Sequence, residues 1–142
     1  MTIRTGSARY DGLGKDGKGH VSTGSGVLDD QPYGFGTRFG DESGTNPEEL
    51  IAAAHASCFT MALSFALARE GLSDGKLETV ARVKLEKDGD GFAVTRSDLS
   101  LDATLAGIDE ARFREIAQEA KAGCPISKLL NAEITLDINF SG

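Results

Sequence analysis

Residues 46–70, NPEELIAAAHASCFTMALSFALARE, constrain the fold more than any other stretch, because they read as one long and nearly uninterrupted apolar helix. Asn46 offers an N-cap, Pro47 suits the first helical position, and Glu49, three residues past the cap, completes a capping-box pattern. Gly71 supplies the stop. A helix of this span is roughly 37 Å long at 1.5 Å per residue. Its apolar residues run almost all round, so it has to be covered on most sides. The chain has one further long helix and several strands to cover it, too little wrapping from one copy, and a second subunit is expected to supply the rest. The run from Leu50 to Ala68 approaches the length of a membrane span, but it is mostly alanine and carries His55, Ser57, Thr60 and Ser64, a polar set costly in lipid. A membrane partner is therefore not expected.

Alternation marks the strands. Leu77, Thr79, Ala81, Val83 and Leu85 share one face against Glu78, Arg82, Lys84 and Glu86, and Asp88-Gly89-Asp90-Gly91 turns the chain into a partner strand from about Phe92 to Leu105. The last strand sets Ala132, Ile134, Leu136, Ile138 and Phe140 against Glu133, Thr135, Asp137 and Asn139. Between them Asp109 to Ala122 forms a second helix with Phe113, Ile116, Ala117 and Ala120 in one apolar stripe. Ile3 to Val27 reads as a glycine-rich β-hairpin, followed by a short run at Tyr33 to Phe39. The order is β-rich segment, helix, hairpin, helix, strand, and the fold class is α+β.

With 142 residues, 39% of them hydrophobic, the chain can bury its own core as one domain. A net charge of -7 and the lack of a basic patch argue against a nucleic-acid partner. The opening Met1-Thr2-Ile3-Arg4-Thr5-Gly6 lacks a secretory pattern, so a cytoplasmic location is expected. Gly12-Leu13-Gly14-Lys15-Asp16-Gly17 matches the dinucleotide fingerprint by letter, but strand and turn chemistry follows it where a pyrophosphate needs a helix N-terminus, and it is read as a hairpin tip. A metal would require Cys124 and His20 to converge on His55 and Cys58, and none is expected.

The two cysteines are the remaining chemistry. In a reducing compartment such a pair is a pair of buried spectators, metal ligands or redox groups rather than a staple. Cys58 sits mid-helix, beyond the reach of the helix dipole, so any activation must come from outside the helix. Glu48, ten residues earlier, lies about 80° round the axis from Cys58 and can reach its side; Glu49 points away and has the capping role. A carboxylate alone would disfavour a thiolate, so it makes sense only if it holds a cation, and Arg38 among the aromatics of Tyr33-Gly34-Phe35-Gly36-Thr37-Arg38-Phe39 is the upstream candidate. Cys124, between a helix-ending Gly123 and a helix-opening Pro125, suits a resolving partner. Composition and spacing leave two readings open, inert buried thiols and a redox pair.

Three stretches resemble the osmotically inducible protein C (OsmC) family, sibling of the organic hydroperoxide resistance proteins. They are Gly24-Ser25-Gly26-Val27-Leu28 through Phe39, Gly44-Thr45-Asn46-Pro47-Glu48 through Leu63, and Lys121-Ala122-Gly123-Cys124-Pro125-Ile126-Ser127, and the likeness continues to Ala132-Glu133-Ile134-Thr135-Leu136-Asp137. The resemblance implies a single domain over residues 1–142, an intertwined homodimer with long central helices and outer antiparallel sheets, and a thiol-dependent peroxidase for organic hydroperoxides. By it Cys58 is the peroxidatic cysteine, Cys124 the resolving cysteine, Arg38 the catalytic arginine and Glu48 the residue that orients it, with Glu49 as the fallback. An external dithiol is the implied reductant, and no cofactor or metal is implied. The apolar residues Ile51, Phe59, Phe35 and Phe39 suit a hydrophobic organic group. His55 is expected to be structural, packed against the dimer neighbour. The rival expectation is a non-catalytic dimeric module that binds an apolar ligand.

Overall fold

A computed structural model describes residues 1–142. The chain divides into two compact units, Met1–Leu50 and Ile51–Gly142.

In the N-terminal unit, β1 (Gly6–Asp11), β2 (Lys18–Thr23) and β3 (Gln31–Tyr33) form an antiparallel sheet in chain order. A 3-10 turn at Gly14–Asp16 closes the β1–β2 hairpin, so the glycine-rich fingerprint is a hairpin tip with no helix behind it to receive a phosphate. The run at 33–39, read as part of the β-rich segment, is a strand end followed by a one-turn helix, α1 (Phe35–Phe39). The Thr37 side chain decides it: Oγ1 accepts from the Gly34 N–H at 2.8 Å and donates to the Gly34 carbonyl at 3.1 Å, which closes the turn.

The long helix α2 runs from Pro47 to Arg69, within one residue of the span read from its caps. The Glu49 N–H donates to Asn46 Oδ1 at 2.8 Å, the expected cap, and the Glu49 carboxylate accepts from Thr45 Oγ1 at 2.8 Å.

In the C-terminal unit, β4 (Lys76–Asp88) and β5 (Gly91–Thr104) form a long antiparallel hairpin through a two-residue turn. Gly89 has φ +60°, which fits the primed turn that matches strand twist. The final strand β6 (Glu133–Ser141) pairs with β5 in parallel, so this sheet is mixed and the expected all-antiparallel arrangement is corrected here. The reason is the connection: α3 (Glu110–Gly123) and α4 (Pro125–Leu129) lie between the two strands, a crossover long enough to return the chain in the same direction. The core joins Phe59, Leu63 and Leu67 of α2, Leu99, Leu101 and Ala103 of β5, and the predicted stripe Phe113, Ile116, Ala117 and Ala120 of α3.

Only a narrow stripe of α2 is fully buried, His55, Phe59, Leu63 and Leu67 at four-residue spacing. The flanking Met61 and Phe65 are 63% and 61% exposed. The chain's one helix long and apolar enough to cross a membrane thus has its central stripe in a protein core.

Candidate active site

Each unit assembles one half of the predicted residues. In the N-terminal unit, α1 carries Arg38 and the first turn of α2 carries Glu48. Asn46 Nδ2 donates to the Thr37 carbonyl at 3.0 Å and the Thr45 N–H donates to the Pro32 carbonyl at 3.0 Å, so α1 is tied to the head of α2 on both sides. The guanidinium then meets the carboxylate in a two-point fork, Nε to Oε1 and Nη2 to Oε2, both 2.9 Å. Glu48, not Glu49, holds the arginine. The Glu48 carboxylate, 12% exposed, holds the Arg38 guanidinium above its ordinary range, first through the hydrogen bond, so the cation is permanent. Cζ of Arg38 stands 5.6 Å from the centre of the Phe39 ring, which packs on Phe35 at 5.1 Å. A cavity of about 260 Å³ opens here, lined by Tyr10, Tyr33, Phe35, Arg38, Phe39 and Pro47 among others. A fixed cation in an aromatic pocket can receive a small organic group with one polar end.

In the C-terminal unit, Cys124 lies near enough to Cys58 to act on its ionisation, although 66 residues separate them in sequence. Cys124 is the N-cap of α4 and Pro125 its first residue, where no N–H is needed. The Ser127 N–H donates to Cys124 Sγ at 3.3 Å. Cys58 is half-buried and Cys124 is 1% exposed, and both are unbridged. Burial pushes the Cys58 thiol above its ordinary value and Cys124 adds to the rise, while the Ile126 N–H works against them.

His55 is buried, as a structural residue would be, but inside this unit, at 0% exposed, rather than against a dimer neighbour. Nδ1 lies 2.6 Å from Ser97 Oγ of β5, Nε2 lies 2.8 Å from Ser127 Oγ of α4, and that hydroxyl lies 3.2 Å from Cys124 Sγ. Burial lowers the imidazole below its ordinary value, so the ring is neutral near pH 7. Ser97 and Ser127 escape sequence reasoning, since an isolated serine gives no periodic signal; the three-residue step from Cys124 to Ser127 across a helix start was the one available hint. Phe59, expected among the apolar residues suited to a substrate, is 0% exposed and belongs to the core.

Comparison with known proteins gives these halves a common context. Residues 40–139 match the model of the family described as OsmC-like protein. The chain is 55% identical over 138 residues to "Peroxiredoxin OsmC" of Escherichia coli (strain K12), covering 96% of each chain. It is 35% identical over 125 residues, 87% of each, to an "Organic hydroperoxide resistance protein-like" chain of Staphylococcus aureus (strain MSSA476). Among solved structures it is similar to the organic hydroperoxide resistance protein OhrB of Bacillus subtilis, with TM-score 0.71, 29% identity, and 97% of this chain and 98% of the other covered. A family match over most of the sequence, near-complete coverage of relatives at 35% to 55% identity and a shared fold agree on one assignment. The chain belongs to the OsmC-like protein family.

Proposed function

We propose that this chain is a cysteine-based peroxidase that reduces organic hydroperoxides to alcohols, with Cys58 as the peroxidatic and Cys124 as the resolving cysteine. The observation that carries the reading is that Cys124, the N-cap of α4, is near enough to the half-buried Cys58 to act on its ionisation, with both thiols free. The relatives, a peroxiredoxin and organic hydroperoxide resistance proteins by name, belong to the same chemistry.

In the first step the Cys58 thiolate attacks the terminal peroxide oxygen, the O–O bond breaks, the sulfur becomes a sulfenic acid, and the alkoxide leaves and is protonated to the alcohol. A thiol pushed up by burial needs a cation to ionise, and that role falls to Arg38, fixed by Glu48. The same guanidinium can take up charge on the leaving oxygen. In the second step Cys124 sulfur bonds to Cys58 sulfur, the S–O bond breaks, and the hydroxyl leaves with the thiol proton as water. An external dithiol returns both thiols and is itself oxidised to a disulfide.

Residues 1–142 act as one functional domain, as a homodimer and in the cytoplasm, where dithiol reductants are available. The exposed Met61 and Phe65 on α2 support the dimer, because flanks this apolar call for cover. Single-turnover experiments with cumene hydroperoxide test the division of roles. Cys58→Ser yields no alcohol, and Cys124→Ser yields one equivalent, after which Cys58 over-oxidises. Equal loss in both variants contradicts it.

A further inference from the structure

The buried chain Ser97, His55, Ser127, Cys124 has no part in the two steps as written, yet it ends on a reacting sulfur. Its direction follows from satisfying each buried group. The Ser97 hydroxyl is fully buried and has His55 Nδ1 as its partner, so donating to that nitrogen gives its proton an acceptor. Nε2 then carries the ring proton and donates to Ser127 Oγ. The Ser127 hydroxyl is left to donate to Cys124 Sγ, beside the N–H of the same residue. Two donors from one residue thus hold the sulfur in place. One end of the chain is anchored on β5, in the middle of the sheet, and the other on α4, a helix of five residues.

We infer that His55, acting through Ser127, is a positioning residue for the resolving step, holding the Cys124 sulfur so that it meets the sulfenic acid at Cys58. The inference rests on the peroxidase reading above. His55 touches neither substrate nor sulfur; it fixes α4 to β5 and orients the hydroxyl that touches Cys124. Once sulfur bonds to sulfur and water leaves, Cys124 no longer needs the Ser127 donors, so the network acts before the disulfide forms.

The test separates the two ends of the imidazole. Asparagine reproduces Nδ1 and its bond to Ser97, whereas glutamine reaches the Nε2 position and Ser127. Reduced protein receives one equivalent of cumene hydroperoxide, and mass spectrometry with dimedone trapping follows sulfenic acid, disulfide and sulfinic acid at Cys58 over time. His55→Asn and Ser127→Ala should slow disulfide formation about tenfold, the effect of one lost buried hydrogen bond, and divert Cys58 to sulfinic acid under excess peroxide. His55→Gln should restore most of the rate, and Ser127→Thr likewise. If both disruptive variants resolve as fast as wild type, or if His55→Gln is as slow as His55→Asn, the inference is overturned. Should His55→Asn fail to fold, Ser127→Ala alone decides, since it removes one exchangeable hydroxyl and leaves the backbone cap in place. Failure of the wild type to form a disulfide overturns the peroxidase reading and this inference together, whereas a wild-type disulfide with unaffected variants overturns the inference only.

Discussion

At the residue scale the proposed chemistry sets two opposing electrostatic effects against each other. Cys58 is pushed toward the neutral thiol by burial, while Arg38 is a permanent cation held by a two-point carboxylate. Arg38→Ala should slow iodoacetamide labelling of Cys58 at neutral pH by about tenfold, one pKa unit of lost stabilisation of the thiolate; an unchanged rate removes Arg38 from the mechanism. His55 gives a second, independent prediction. Its folded-state pKa lies below the ordinary 6.5, so the folded chain prefers the neutral ring. Stability from this group is complete above about 6.5 and is lost as pH falls through the lower folded value. Urea unfolding of the wild type should therefore show falling stability below pH 6.5, and His55→Gln should flatten that part of the profile. Identical profiles would mean that the imidazole is not buried neutral. The sequence put Glu48 on the side of Cys58 through helical phase, because a ten-residue separation on α2 fixes an angle, and pointed to Arg38 as the upstream cation such a carboxylate would hold. It could not expose Ser97 and Ser127, whose relation to His55 exists only after β5 and α4 have been brought to α2.

At the element scale, α1 is the least legible part and the one on which Arg38 depends. One glycine and two phenylalanines in five residues resemble a strand, and a single threonine hydroxyl turns the backbone into a helix. The loop that follows lies close against it. Gly44 has φ +143°, and a Cβ there would stand 2.5 Å from the Pro32 carbonyl and 2.9 Å from Thr37 Cγ2. Gly44→Ala should cost about 1–3 kcal/mol of stability and displace the Arg38–Glu48 fork. Urea unfolding and the labelling rate of Cys58 check it, and a variant with wild-type values in both would show that the loop does not position α1. The longer elements were legible because each carries many repeats of its own period: α3 shows its stripe four times over and β4 alternates along most of its length. Parallel pairing of β6 was not, since alternation reports which face is buried but not which way a strand runs.

At the scale of the whole molecule, α2 is the organising element. It gives one stripe to a core shared with β5 and α3, and it leaves Met61 and Phe65 exposed. A second copy is the proposed cover. Phe65→Glu combined with Met61→Glu should halve the mass seen by sedimentation equilibrium while far-UV circular dichroism is retained. A wild-type chain that sediments as a monomer would contradict the dimer. The family assignment follows from similarity across nearly the entire chain, whereas the proposed chemistry depends on Cys58 and Cys124. The most direct measurement is the fate of those sulfurs: treat reduced protein with one equivalent of cumene hydroperoxide, count the free thiols, and map the peptides by mass. The account predicts loss of both thiols per chain and an intramolecular Cys58–Cys124 disulfide, with one equivalent of alcohol released. Retention of both thiols, or a bridge only between chains, would contradict it.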